Sequence, residues 1–312
     1  MADVVTLTMN PAIDLSVSVE SVAPFHKLRC GDGRRDPGGG GINVARAIKR
    51  LGGDVIAVYP HGGVLGELLR RLVDREGISA SPISVSGETR EDITVIEQAT
   101  GSQYRFVLPG PRLVESEWKT CLGTVATLEH GAQFVVASGS LPPGVPDDFY
   151  GRVAKQAKQA GAKIVVDSSG PPLRNALAVG VFLVKPSLNE FRILLGGPLE
   201  TEVEWVNACR SLIAMGQAEI VALTLGDQGG LVVTRDRILR APALKIEPVS
   251  VVGAGDSFLG AMIWSLTTGH TLETAFRYGV AAGSAALLMP GTELCHRADV
   301  ERLVNYVKIQ GI

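Results

Sequence analysis

The 312-residue chain has little of what would place it in a specialised class. Its four cysteines, Cys30, Cys121, Cys209 and Cys295, stand far apart, which excludes a disulfide framework and a thiolate metal centre. The five histidines follow no metal-ligand spacing. Net charge is only −2, so there is no global field for nucleic acid or an anionic membrane, and an anionic substrate must be held by a few local cations. No apolar run approaches bilayer length, and Met1-Ala2-Asp3 does not read as a signal peptide, so a cytoplasmic protein is expected. There is no Gly-Lys dipeptide and hence no Walker A loop. No G-x-G-x-x-G occurs, which argues against a dinucleotide-binding dehydrogenase, and no DFG or HRD triplet, which excludes a protein kinase. No internal repeat, low-complexity tract or flexible linker divides the chain.

What is present reads as a globular α/β protein with 46% apolar residues. Short β-rich segments alternate with helical patterns. The strands are expected at Val4–Thr8, Asp54–Tyr59, Phe134–Ala137, Ile164–Val166, Phe182–Val184, Ile220–Leu223 and Leu231–Thr234. The helices are expected at Ile42–Leu51, Gly66–Glu76, Asp147–Ala160, Leu188–Leu195, Glu202–Met215, Ser257–Thr267, Leu272–Leu288 and Asp299–Val307. This rhythm predicts one αβα domain over 1–312, with a doubly wound, mostly parallel sheet. Two excursions, about 15–35 and 88–108, break the rhythm with the alternating strand Leu15–Val19 and a hairpin around Thr100-Gly101. They predict a small separate β-sheet, a lid, joined by an irregular basic patch.

Polar and glycine motifs gather at strand ends, where open α/β sheets bind ligands. Asp14 follows the first strand. Pro37 to Gly53 reads PGGGGINVARAIKRLGG, in which glycines before a helix allow close backbone approach and Asn43 can donate and accept, as sugar hydroxyls require. A plain glycine-rich turn is the alternative. Ser250 to Ile263 reads SVVGAGDSFLGAMI, in which Gly253, Ala254 and Gly255 precede an acid and an apolar helix. Amides at a helix start lack partners and favour negative charge, which makes an anion hole suited to a phosphoryl group. Asp256 beside it could accept a proton from an attacking hydroxyl, or serve only as an N-cap. Lys27, Arg29, Arg90 and Arg105 all fall on the excursions, either as solvated surface charges or as a phosphate site.

PGGGGINVARAIKRLGG and SVVGAGDSFLGAM, in this order and at this separation, resemble the two signature segments of the ribokinase-like (PfkB) family of sugar kinases. The resemblance extends through TLTMNPAID, KLRC, YRFVLPG, SGSLPPGVP, VVDSSG, VKP and GVAAGSAA, and within the family it runs most to the minor-type bacterial 6-phosphofructokinases. It implies ATP-dependent phosphorylation of a sugar phosphate at a primary hydroxyl. Fructose 6-phosphate is the leading acceptor, with 1-phosphofructokinase and tagatose-6-phosphate kinase as alternatives and a silent sensor as the non-enzymatic rival. It implies Asp256 as base, with the sugar held by Asp14, Gly39, Gly40, Gly41 and Asn43 and its phosphate by Lys27, Arg90 and Arg105 near Ser140. Lys185, Ser187, Thr224, Gly226, Gly229 and Ser284 would line the nucleotide. Mg2+ would sit near Glu190, and K+ in a loop of Ser250, Val252, Ala286, Met289, Gly291 and the vicinity of Glu293. It also implies a homodimer paired through the lid. Three positions depart from the family pattern: Ser187 replaces an asparagine, Glu293 a base and Met289 a polar residue.

Overall fold

The computed structural model describes residues 2–311. Along β1 (Val4–Leu7), Val4 enters one hydrophobic core while Val5 and Leu7 enter another on the opposite side of the sheet. The same division recurs in β8 (Phe134–Ser138), where Phe134 and Val136 face one way and Val135 and Ala137 the other. Period-two side chains with both faces buried explain why these strands are near-continuous apolar runs.

In chain order β1 is followed by β2 (Ala12–Val19), β3 (Arg34–Gly38), α1 (Gly40–Arg50), β4 (Val55–His61), α2 (Gly63–Arg75) and β5 (Ser79–Ser84). Next come β6 (Arg90–Glu97), β7 (Gln103–Phe106), α3 (Glu115–Leu128), β8, α4 (Phe149–Ala160), β9 (Lys163–Asp167), α5 (Gly170–Val179) and β10 (Val181–Val184). The chain ends with α6 (Leu188–Leu195), α7 (Glu202–Ala214), β11 (Ala218–Thr224), β12 (Gly230–Val233), β13 (Ile238–Ala241), α8 (Ala254–Thr267), α9 (Leu272–Ala286), α10 (Arg297–Leu303) and β14 (Gln310–Gly311).

The large sheet has the order β14-β13-β12-β11-β10-β9-β8-β1-β4-β5 and is parallel from β5 to β11, with antiparallel strands at the far edge. Helices α1, α2, α8, α9 and α10 cover one face and α3 to α7 the other. The chain leaves β1 toward β4 and β5, then returns to β8 and builds outward the other way. The crevice between β1 and β8 is therefore the topological switch point, where such sheets receive ligands. Register aligns the strand ends there: Leu7 pairs with Ala137, Ser138 with Asp167, and Val184 with Val166.

A second sheet, ordered β3-β2-β6-β7, covers the crevice mouth. Its register puts Asp36, Asp14 and Asp92 side by side across three strands. Leu15 to Ser18 do not alternate in burial as expected: all four are half-buried. Residues 34–38, expected to be irregular, form β3, whose Asp36 is buried despite its charge. Among the described residues no helix is long and apolar enough to cross a membrane.

Candidate active site

Helix α8 begins three residues earlier than its apolar run suggests. Gly253 is its N-cap, with φ 79°, a left-handed conformation natural to glycine, and Ala254, Gly255 and Asp256 form its first turn. Asp256 is therefore the third helical residue and not the cap, so its carboxylate is available for other work. A Cβ on Gly255 would sit 3.4 Å from Lys185 Nζ, which shows how closely that ammonium approaches the helix start. Unpaired amides, the positive helix end and Lys185 converge at one point, where a negative ligand is favoured.

Asp256 forms one wall of a cavity of about 220 Å³ that Asp14, Gly39, Gly40, Asn43, Arg90, Asp92, Arg105, Ser138, Gly139, Ser140, Asp167, Ser168, Ser169 and Glu190 also line. Each strand end contributes. Asp167 closes β9, and Lys185, following β10, forms an ion pair with it at 3.2 Å. Ser140 Oγ accepts a hydrogen bond from Asn10 Nδ2 at 3.2 Å, which ties the β8 loop to the β1 loop. A wider depression of about 690 Å³, between Leu108-Pro109 and the 140–145 and 169–172 loops, shares Arg90 and Ser140 with this cavity.

Acids dominate the electrostatics. Burial pushes the Asp14 carboxyl up to about 6, opposed by Arg105, assisted by Asp92 and opposed further by Arg46 and Arg90. Burial also lifts Asp167 to about 6, with Lys185 lowering it and Asp256 and Glu190 raising it. Asp256 is raised by burial too, against a hydrogen bond from Asn43 Nδ2 at 2.9 Å and the charges of Lys185, Arg105 and Arg46. On Lys185 burial acts downward, but Asp167, Glu190 and Asp256 overcome it and hold the ammonium charged.

The sequence-based candidates separate into three groups. Asp14, Gly39, Gly40, Asn43, Arg90, Arg105, Ser140, Glu190 and Asp256 meet at the cavity. Gly41 does not line it: a Cβ there would lie 2.6 Å from both the Leu7 carbonyl and Thr8 Oγ1, so Gly41 serves the packing of α1 on β1. Lys27 lies exposed in the loop between β2 and β3 and joins neither depression. The two arginines also differ. Arg90 is bound to Asp92, the Leu108 carbonyl and the Asn10 carbonyl, and its buried Nε has no partner among the described residues. Arg105 is exposed and, among the described residues, enters no ion pair. Two cavity acids escaped the sequence reading, Asp92 and Asp167. Asp167 stands at a strand end beside Ser168-Ser169-Gly170, which was the available signal.

The expected nucleotide residues lie along the next strand ends. Thr224 closes β11 and donates its amide to the Pro186 carbonyl at 3.0 Å. Gly226 opens a short 3-10 turn that ends at Gly229, where φ is 93° and an added Cβ would collide with the Ala241 carbonyl and lie 2.6 Å from the Pro242 backbone, so no side chain is admitted. Ser284 is buried in α9. Ser187 caps α6: its Oγ accepts from the Glu190 amide at 3.2 Å, and its own amide and hydroxyl donate to Glu190 Oε2 at 2.8 Å. The lost asparagine is thus replaced by a reciprocal capping box that fixes Glu190.

For a divalent cation the acids on offer are Asp167 and Glu190, which line the cavity together; among the described residues no group of three acids, histidines or cysteines is placed to hold a metal by itself, so water or phosphate oxygens would complete its shell. In the loop expected to bind a monovalent cation, Ser250 Oγ donates to the Gly291 carbonyl at 2.9 Å and accepts from the Val252 amide at 3.2 Å. Gly291, with φ 58°, packs against Ser16 of the lid, and Met289 and Ala286 offer only backbone oxygens. Glu293 is ion-paired with Arg34 and hydrogen-bonded to the His296 ring, which makes it a tie to β3 in place of a positive charge.

A family model described as pfkB family carbohydrate kinase matches residues 2–299. The chain is 46% identical over 299 residues to the ATP-dependent 6-phosphofructokinase isozyme 2 of Mycobacterium tuberculosis, covering 96% of this chain and 88% of that one. It is 31% identical to a 1-phosphofructokinase of Bacillus subtilis, with 97% and 98% covered. The crystal structure of phosphofructokinase-2 from Escherichia coli in complex with fructose-6-phosphate superposes with a TM-score of 0.92 at 38% identity, over 98% of this chain and 99% of that one.

Proposed function

The chain belongs to the pfkB family of carbohydrate kinases, and from that premise we propose that it transfers a phosphoryl group from ATP to the 1-hydroxyl of fructose 6-phosphate. The observation that carries this reading is the meeting of a half-buried carboxylate, Asp256, with the unpaired amides of a helix start and a cavity mouth bearing arginines. Relatives named 6-phosphofructokinase stand at 46% identity and the 1-phosphofructokinase at 31%, which supports the 6-phosphate substrate.

In this mechanism Asp14 accepts hydrogen bonds from the sugar, Arg105 and Arg90 meet its phosphate, and Asn43 steadies Asp256. Asp256 takes the proton of the attacking hydroxyl as the bond to phosphorus forms. The Gly253–Asp256 turn donates amides to charge that develops on the transferred group, where fixed dipoles act without reorganisation. Lys185 and the turn from Gly226 to Gly229 serve the nucleotide phosphates. Magnesium, held by Glu190 and Asp167 largely through water, would offset phosphate charge when bound. The Ser250–Gly291 loop would hold potassium through carbonyls. The substrates fit a cytoplasmic enzyme. The exposed apolar side chains of Tyr104, Phe106, Val107 and Leu108 support a homodimer paired through the lid, with Lys27 reaching the neighbouring cavity.

A coupled assay over fructose 6-phosphate, fructose 1-phosphate, tagatose 6-phosphate and free fructose tests the reading. Fructose 6-phosphate should give the highest kcat/KM. A higher value for fructose 1-phosphate, or binding without turnover of any sugar, would overturn it in favour of the sister activity or a sensor.

A further inference from the structure

Arg46, in the middle of α1, is 0% exposed. Burying a guanidinium is costly unless its charge and its fixed fork of donors are matched. The charge is matched by Glu76, just past α2: Nε donates to Oε1 at 2.9 Å, and Nη2 lies 2.7 Å from the same oxygen. That pairing alone does not explain the residue. The join between α1 and α2 has its own clamp in Arg50, whose Nη2 lies 3.0 Å from both Glu76 oxygens. What Arg46 adds is Nη1, which points away from Glu76. It donates to Asn43 Oδ1 at 3.2 Å, to the Pro37 carbonyl of β3 at 3.1 Å and to the Thr292 carbonyl at 2.9 Å.

Asn43 is the partner of the candidate base, donating from Nδ2 to Asp256 Oδ2 at 2.9 Å. An amide end accepts on one side and donates on the other, and the two differ little in shape. Here the chemistry decides the orientation. Reversal would set Nδ2 against the guanidinium and Oδ1 against the Asp256 carboxylate, two like-with-like contacts in a buried place.

We propose that Arg46 is a positioning residue for Asp256: it locks the Asn43 amide so that its donor side always faces the carboxylate, and it anchors that lock to lid strand β3 and to the turn carrying Thr292. The proposal rests on the reading of Asp256 as the base. It explains why a cation sits on the same face of α1 as Ile42, where the pattern calls for an apolar side chain. It also makes the base sensitive to the seating of β3, since Asp36 lies 3.7 Å from Arg46 Nη2 and accepts from Arg34 and Thr292.

The groups facing Asp256 are Lys185 after β10, Asp167 of β9, Glu190 of α6, Arg105 of β7, Arg90 and Asp92 of β6, Asp14 of β2 and Arg46 itself. Only Arg46 acts both by its charge and through Asn43. The test is the pH profile of kcat for Arg46→Lys, Asn43→Ala and the double variant, with Asp256→Asn as control. Lysine keeps a charge but not the fork, so it cannot hold Glu76 and Asn43 together. The acid limb should move up by about one pH unit in each single variant, a ten-fold change in the ionisation of the base, and the double variant should show little further shift. An unmoved limb in folded Arg46→Lys, or additive shifts in the double variant, overturns the proposal and leaves Arg46 a packing residue. If Arg46→Lys does not fold, the paired variant Arg46→Met with Glu76→Leu, which replaces the buried ion pair by apolar side chains, takes its place. Its limb should move the same way, and an unmoved limb overturns the proposal there too. Near-normal turnover of Asp256→Asn would overturn the base reading itself, an outcome distinct from an unmoved limb.

Discussion

Replacing Asp14 by asparagine should make the protein more stable and a worse enzyme. Asp14 is 5% exposed at the centre of a row of three acids, and the arginines that favour its charge act through space and not by hydrogen bonds. Gly38 on the neighbouring strand leaves the room for its carboxylate, since a Cβ there would collide with it. Burial raises its pKa from 3.8 to about 6. A raised folded pKa means that the protonated acid is the form the fold prefers. Its contribution is fully present below the unfolded pKa near 4 and is lost as pH rises through about 6. Two units at about 1.36 kcal/mol each put the cost of ionised Asp14 at up to ~3 kcal/mol above pH 7. Asparagine has nearly the same shape and no charge. Urea melts at pH 7.5 should show Asp14→Asn more stable by about 1–3 kcal/mol, and the gain should vanish near pH 4. The KM for fructose 6-phosphate should rise about ten-fold as a charged acceptor becomes a neutral one. A variant less stable than the parent at pH 7.5, or a gain independent of pH, would refute the claim that this carboxylate is held at a cost.

Arg105→Ala should raise KM for the sugar phosphate about ten-fold and leave KM for ATP nearly unchanged. Arg90→Ala should do the same and also lower the melting temperature, because Arg90 holds Asp92, Leu108 and Asn10 together; equal loss of ATP affinity would put either arginine on the nucleotide side. Ser187→Ala removes the cap of α6 and should cost about 1 kcal/mol in a denaturant melt. It should also raise the magnesium concentration needed for half-maximal rate, and an unchanged magnesium titration would leave Ser187 as a cap alone. Val17→Asp, on the half-buried lid strand, should give folded monomers with poor affinity for the sugar phosphate; sedimentation showing an intact dimer would remove the lid from the interface.

The parts of the fold most legible in the sequence were those with one dominant local signal. Helix α6, Leu188–Leu195, runs as expected because Ser187 caps it and Gly196 ends it with φ 72°. The buried strands declared themselves by unbroken apolar runs. The elements that went unseen lack such signals. Strand β5 (SASPIS) and strand β3 (RRDPG) are polar, proline-containing and at sheet edges, so their pairing is decided by neighbours. Helix α3 carries Thr120, Thr124, Thr127 and Gly123, poor helix formers, with the three threonine hydroxyls bonded back to carbonyls one turn earlier. Helix α5 begins Gly-Pro-Pro, which reads as a turn until its N-terminal placement is known. At the site, the glycine motifs and Asp256 were readable because they are local. The roles of Arg46 and Asp92 were not, since the partners that bury them include Glu76 and Thr292, 30 and 246 residues from Arg46, and Leu108, 16 from Asp92. A lone arginine in an apolar helix reads as surface, although its spacing from Ile42 and Asn43 placed it on the buried face.

The central claim is that Asp256 does chemistry and not merely capping, and one substitution addresses it. Asp256→Asn preserves the side chain's size and an oxygen to accept from Asn43 Nδ2, so fold and substrate sites should be kept. Under saturating ATP, magnesium and fructose 6-phosphate, kcat should fall by about 10²–10⁴, with both KM values and the melting temperature nearly unchanged. A kcat within about three-fold of the parent would contradict the account, since a base that can be removed at so little loss is not one.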